Sequence, residues 1–216
     1  MTMFANTHEA PFTVSEVQAD KSNNLLAQIL EQAEKDDVEF NNILSRSYRH
    51  QLGFVKIPLI DDGVNGCLRL HVWDEVSLKK EDIHSHCADF TSRVLNGLLI
   101  ENLFSLKEGA THSLFRYRRN EKTQRFDISS EGVAEALKED SRKIELGQTY
   151  ERYAGQIHNV EYAAPGTITL SAWGRRRESA LVLKNTGAVP DDCSMVYPIS
   201  KNELGSLIKF CMSRLS

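Results

Sequence analysis

Asp82-Ile83-His84-Ser85-His86, followed by Arg93-Val94-Leu95-Asn96-Gly97-Leu98-Leu99-Ile100-Glu101, is the stretch on which the reading of this chain turns. In extended backbone, residues i and i+2 project to the same side, so His84 and His86 would present two imidazoles to one point. That arrangement suits a metal that accepts nitrogen ligands, such as iron, zinc, nickel or copper. Gly97 lies eleven residues beyond His86, and Asn-Gly between two apolar runs is a strong hairpin signal. A related pattern recurs downstream, where Gly147 precedes Tyr153-Ala154-Gly155-Gln156-Ile157-His158: a strand, a glycine turn, then a strand opening on a histidine. His8 in the N-terminal lead-in, His50 at a helix end and His112 near a turn read as solvated.

Outward from this stretch the chain is rich in short strands. Cys67-Leu68-Arg69-Leu70-His71-Val72-Trp73 alternates, with Leu68, Leu70 and Val72 on one face and Arg69, His71 and Trp73 on the other. It follows a strand at 54–59 and a turn-forming stretch at 61–66. Further strands are predicted at 92–95, 98–104, 111–117, 125–128, 143–146, 149–153, 156–162, 167–173 and 179–183, with a short helical insertion over 131–139. Many short strands separated by turn signals predict a barrel or sandwich. Helices precede it: Leu25, Leu26, Ile29, Leu30 and Ala33 recur at helical spacing from Ser15 onward, and Phe40, Ile43 and Leu44 follow within 38–48. Ser200 with Glu203 forms a capping box, so a closing helix should bury Leu204, Leu207, Ile208 and Cys211. The expected division is a helical lead-in over 1–50 packed on a barrel of 51–185, then a C-terminal extension over 186–216.

The composition narrows the function classes. The chain has 216 residues, of which 41% are hydrophobic and 26% charged, an ordinary globular balance that excludes a disordered tail or a fibre. Thirty acidic against 26 basic residues give a net charge of −4, which lacks the basic excess of a non-specific nucleic-acid binder. The longest apolar runs, such as Leu98-Leu99-Ile100, fall far short of a membrane span, and no signal peptide is visible at the N-terminus. The chain therefore reads as soluble and cytoplasmic, with no nucleic-acid or membrane partner. Cys67, Cys87, Cys193 and Cys211 contain no CxxC pair and read as reduced thiols.

The two histidine stretches resemble the motifs of the cupin superfamily, HxH-(3 or 4)-E-(6)-G and G-(5)-PxG-(2)-H. The second fits from Gly147 through Gly155 to His158, with Tyr153 in the proline slot; the first fits from His84 through His86 to Gly97. Phe90 (or Thr91) stands in the glutamate slot, and Leu78 where a preceding glycine is expected. The resemblance implies a mainly β, cupin double-stranded β-helix barrel with N-terminal helices and a C-terminal helix. It also implies a three-histidine metal site of His84, His86 and His158. That variant is similar to the thiol dioxygenase branch, typified by cysteine dioxygenase. Asp82 to His86, Val94 to Phe104, Ile157 to Glu161 and Leu70-His71-Val72-Trp73 carry this likeness, which spans residues 50–185. The branch implies ferrous iron as cofactor, with O2 and a small-molecule substrate. Its substrate residues depart. Lys56 stands where the family clamps a carboxylate with arginine, Trp173 where it has a catalytic tyrosine, and Ser171 where it has a supporting histidine; Cys87 is out of register with its crosslinking cysteine. Cysteine itself is therefore not the expected substrate.

If the three histidines face the barrel interior, Arg69, His71 and Trp73 share that space with Thr169, Ser171 and Trp173. Lys56 or Arg69 would orient a substrate carboxylate, and Trp73 and Trp173 would form an apolar wall. The alternative is that Arg69 and His71 face solvent while leucines fill the barrel. Arg116, Arg118 and the run Arg175-Arg176-Arg177 read as solvated charge. The function expected is an oxygen-incorporating iron enzyme. The rivals are a zinc or nickel cupin acting as isomerase or lyase, and a barrel that binds a small ligand without catalysis. The sequence is silent on oligomeric state.

Overall fold

A computed structural model describes residues 21–50, 52–63, 65–74, 81–120, 122, 126–177, 179–190 and 197–214. His8, Leu78, Cys193 and the helix start at Ser15 lie outside them. Two helices open the described chain, α1 (Lys21–Lys35) and α2 (Asp37–Arg46). Asp36 caps α2, its carboxylate accepting from the Val38 and Glu39 amides. Twelve strands follow: β1 (Tyr48–His50), β2 (Phe54–Asp61), β3 (Cys67–Trp73), β4 (Ile83–His84), β5 (Phe90–Asn96), β6 (Leu98–Arg119), β7 (Phe126–Glu145), β8 (Thr149–Arg152), β9 (Ile157–Ala163), β10 (Thr167–Trp173), β11 (Ser179–Asn185) and β12 (Tyr197–Pro198). Helix α3 (Lys201–Met212) closes the chain, with the Ser200 hydroxyl accepting from the Glu203 amide as the capping box requires.

The strands form two antiparallel sheets, one ordered β12-β1-β2-β3-β10-β5-β8 and the other β11-β4-β9-β6-β7, with β11 also pairing β6. From β4 onward the chain steps from sheet to sheet at nearly every connection, and only the β6–β7 hairpin stays within one sheet. This is a mainly β, two-sheet barrel wound as a double-stranded β-helix, the architecture the sequence resemblance implies, with helices before and after it. The stepping corrects one expectation. Asn96-Gly97 does not turn a hairpin; it carries the chain from β5 in the larger sheet to β6 in the smaller. Gly97 has φ of 76°, and a Cβ there would lie 2.4 Å from the Thr167 Oγ1 and 2.9 Å from its Cα. The sharp crossing thus needs both the left-handed backbone and the missing side chain.

Other expectations change as well. Residues 131–139 are not helical: they belong to the 20-residue strand β7, which pairs with the 22-residue β6. Strands expected separately at 98–104 and 111–117, and at 125–128 and 143–146, are therefore segments of one long hairpin. The alternation of this stretch is weak because most of β7 is exposed, so no buried face imposes a two-residue period.

The larger sheet buries different chemistry on its two faces. Leu68, Leu70, Val72, Ile168, Leu170 and Ala172 form one core with Val55 and Ile57 of β2. Leu26, Leu30 and Ile43 of the opening helices and Leu204, Leu207, Ile208 and Cys211 of α3 complete that core. The leucines of β3 and β10 thus lie under the helices, and the alternating residues are turned the other way, toward the smaller sheet. Cys67, Cys87 and Cys211 are unpaired thiols. Among the described residues, no helix is long and apolar enough to cross a membrane.

Candidate metal centre

His84 ends β4 and pairs in register with His158 of β9, while His86 lies two residues past the end of β4. The strand expected to hold both histidines is thus only two residues long, yet the two rings still meet. Ring centroids are 4.7 Å apart for His84 and His86, and 4.8 Å for each of the other two pairs. Their ligand nitrogens all lie within 4.8 Å of one another. His84 and His158 are buried, and His86 is half-buried.

The remaining ring nitrogens settle which atoms face inward. The Nδ1–H of His84 donates to the Asp82 carbonyl at 2.8 Å, and the Nδ1–H of His158 donates to Glu101 Oε1 at 2.7 Å. Neither oxygen has a proton to give at that contact, so both imidazoles carry hydrogen on Nδ1 and a bare lone pair on Nε2. His86 Nε2–H then donates to His158 Nε2 at 2.7 Å. Two nitrogens bound to one ion at about 2.1 Å and at right angles would stand roughly 3 Å apart, so this pair needs little movement to share a cation. Loading would shift the His86 proton to its Nδ1. The donor set fits a borderline or nitrogen-accepting divalent metal.

Burial keeps the cluster neutral and ready to ligate. It lowers His84 to about 3, with the neighbouring His158 adding to the effect, and lowers His158 to about 3, with Arg152 adding. His86 is pushed well below its ordinary value by the same cause. His50 and His71 shift the same way, again chiefly by burial. Unfolded histidines take up protons below about pH 6.5 while these native ones do not, so stability should fall as pH drops from about 6.5 toward 3. Glu81 opposes this. Its buried carboxyl is raised to about 8, so the native state holds an extra proton between about 4.5 and 8. Five histidines against one carboxyl decide the sign. Urea midpoints of metal-free protein should therefore decline between pH 7 and pH 5; a flat profile would show that these imidazoles are hydrated.

The inner face of the larger sheet carries the other sequence-predicted site residues. Ser171 pairs in register with Arg69 and with Ser92, and Thr169 with His71, which in turn faces Lys56. The Arg69 guanidinium lies over the Trp173 ring at 3.4 Å, and Trp173 meets His86 edge-on at 4.8 Å. Trp173 also stacks on Phe90 at 4.3 Å, so the residue in the motif's glutamate slot supplies an aromatic wall rather than a ligand. Ser171 shares a 2.7 Å hydrogen bond with Ser92. Arg69 Nε, His71 Nε2, Thr169 Oγ1 and Trp173 Nε1 are buried without a hydrogen-bond partner among the described residues. Polar atoms left this way are costly unless something bound satisfies them.

Lys56 and Trp73 stand farther along the same face. The Lys56 ammonium donates to the Tyr48 hydroxyl at 3.1 Å, and burial with the nearby Arg69 charge lowers it to about 7. Trp73 packs among Phe54, Val94, Leu99, Ile144 and Val160, and its ring contacts are with Phe54 and His71 rather than with the three clustered histidines. His50 is corrected from a solvated helix end: it lies on β1, half-buried, and stacks on Phe54 at 4.8 Å. Arg116 pairs with Glu131 and Arg177 with Asp89, so each of these arginines is engaged by a carboxylate.

Two residues that the sequence reading assigned no role complete the site. Glu101 of β6 is 0% exposed and Arg152 of β8 is 3% exposed. The Arg152 Nε–H donates to Glu101 Oε1 at 2.6 Å, and a second guanidinium nitrogen meets the other carboxylate oxygen. A glutamate within an otherwise apolar strand stretch, Leu98-Leu99-Ile100-Glu101, was the available signal.

No family model and no curated protein matches the chain. Solved structures do show likeness. An oxalate oxidase matches at 10% identity over 77% of this chain and 74% of its own, with a TM-score of 0.36. A hydroquinone 1,2-dioxygenase in complex with Cd2+ and 4-hydroxybenzonitrile matches at 12% identity over 81% of this chain and 91% of its own, with a TM-score of 0.37. A polyketide cyclase from Streptomyces resistomycificus matches at 12% identity over 68% of this chain and 82% of its own, with a TM-score of 0.24.

Proposed function

We propose that the chain is a metal-dependent cupin that binds ferrous iron through His84, His86 and His158 and oxidises a small carboxylate-bearing substrate with O2, as thiol dioxygenases do. The supporting observation is the convergence of three neutral imidazoles whose ligand nitrogens lie within 4.8 Å of one another. Bound ferrous iron would supply dioxygen activation together with open positions for a substrate donor atom. Everything else falls to the chain's own residues.

Arg69 is the substrate anchor. Its contacts of 3.4 Å with Trp173, and of 4.8 Å from Trp173 to His86, bound the guanidinium to within about 8 Å of the imidazole. A substrate spanning that distance is short: a carboxylate at one end and a thiol, hydroxyl or amine a few bonds away. The guanidinium keeps its charge at neutral pH and can hold a carboxylate through two parallel hydrogen bonds. Lys56, lowered to about 7 and tied to Tyr48, adds only a fractional charge. Unpartnered donors on His71, Thr169 and Trp173 supply further contacts for substrate oxygens. The Phe90–Trp173 stack forms an aromatic wall along one side of His86.

The test is elemental analysis of purified protein, then anaerobic reconstitution with ferrous iron and oxygen uptake against a panel of short thiol, hydroxy and amino acids. Near-stoichiometric iron with substrate-dependent uptake is the expected result. Tight zinc or nickel without uptake would move the assignment to an isomerase or lyase. Less than about a tenth of an equivalent of any metal after reconstitution would leave a barrel that binds small ligands.

A further inference from the structure

Behind His158, on the side away from the other two histidines, a carboxylate and a guanidinium are shut inside the barrel. Glu101 and Val160 are cross-strand neighbours, as are Leu103 and His158, so Glu101 is the diagonal same-face neighbour of His158. Arg152 approaches from β8 of the opposite sheet. Glu101 Oε1 accepts from both His158 Nδ1–H, at 2.7 Å, and Arg152 Nε–H, at 2.6 Å.

Burying such a pair is a poor way to gain stability, because the desolvation of two ions roughly cancels their attraction. The pair stands where it fixes one ring. A carboxylate can only accept at Nδ1, which forces hydrogen onto that nitrogen and leaves Nε2 bare toward His86. It also makes the imidazole a stronger donor to a cation. The first motif's glutamate slot, filled by Phe90, contributes no negative charge to the cluster.

We propose that Glu101 is a positioning residue for His158, restoring behind the ring the carboxylate that Phe90 displaces from the ligand slot, with Arg152 clamping Glu101 in place. This rests on the metal-centre reading only for its effect on affinity; the assignment of the ring proton does not depend on a metal.

Two double variants test it, because removing one charge alone would leave the other buried. Glu101→Gln with Arg152→Met removes both charges but keeps a carbonyl oxygen for Nδ1–H; Glu101→Leu with Arg152→Met removes the acceptor too. Imidazole 15N shifts of the metal-free proteins report which nitrogen carries hydrogen, and zinc alone, in competition with a chelator, reports affinity. The glutamine double should keep hydrogen on Nδ1 of His158. The leucine double should lose that preference and bind zinc roughly 10- to 100-fold more weakly than wild type. An unchanged His158 proton and unchanged zinc affinity in the leucine double would overturn the proposal. Wild type that binds no zinc but shows the Nδ1 proton lost only in the leucine double would support the positioning role while sinking the metal-centre reading.

Discussion

Replacing His86 by alanine should give a folded protein that binds divalent metal about a hundred- to a thousand-fold more weakly. The ring contributes little to folding. His86 lies outside the ladder, is half-buried, and touches mainly Phe90, Trp173 and the other two histidines. It is, however, one of only three nitrogens in the cluster. Four-ligand structural zinc sites hold their ion by roughly 10–16 kcal/mol, or about 2.5–4 kcal/mol per ligand, which is about two to three powers of ten in affinity. Zinc competition against a chelator measures the loss, and a thermal melt verifies the fold. His112→Ala is the control, since His112 bonds its neighbour Thr111 within β6, outside the three-histidine cluster. If His86→Ala bound zinc within tenfold of wild type, the ion would sit elsewhere and the three-histidine assignment would fall.

Arg152→Met alone should destabilise the protein by about 3–5 kcal/mol, because it strands the Glu101 carboxylate without its countercharge. Glu101 is completely buried, and the donor it keeps in the variant is the single N–H of His158. Methionine fills much of the volume, so the loss is electrostatic rather than a cavity. The exposed pair of Arg142 and Asp140 sets the comparison: Arg142→Met should leave the urea midpoint nearly unchanged, because water screens both charges. Urea midpoints of the two variants measure the contrast. Equal, small effects would mean that water reaches Glu101. Adding Glu101→Gln to Arg152→Met should recover most of the loss.

Much of the barrel is legible in the residues alone. β3 and β10 coincide with the runs at 67–73 and 167–173, because one face of each is leucine-rich and the other polar, and two buried faces of opposite chemistry enforce a strict period of two. The convergence of His84, His86 and His158 is legible through glycine spacing, since turns between sheets constrain sequence as tightly as turns within one. Three things are not. The long β6–β7 hairpin is mostly exposed along β7, so nothing in its pattern distinguishes strand from helix. The crossing at Gly97 looks like a hairpin because Asn-Gly serves any sharp reversal. The Arg152–Glu101–His158 chain joins residues 51 and 57 positions apart, and a long-range polar network leaves no local period to detect.

The two-faced character of the larger sheet has an evolutionary consequence. Its folding energy is concentrated in the leucines packed beneath the helices, whereas Arg69, His71, Thr169 and Ser171 look into the barrel and take no part in that core. A change among the inward residues alters what the barrel can hold while leaving the helix contacts intact; a change among Leu68, Leu70 and Leu170 does the reverse. Selection for a new substrate and selection for a durable scaffold therefore act on alternate positions of the same strands, and either can proceed without waiting for the other.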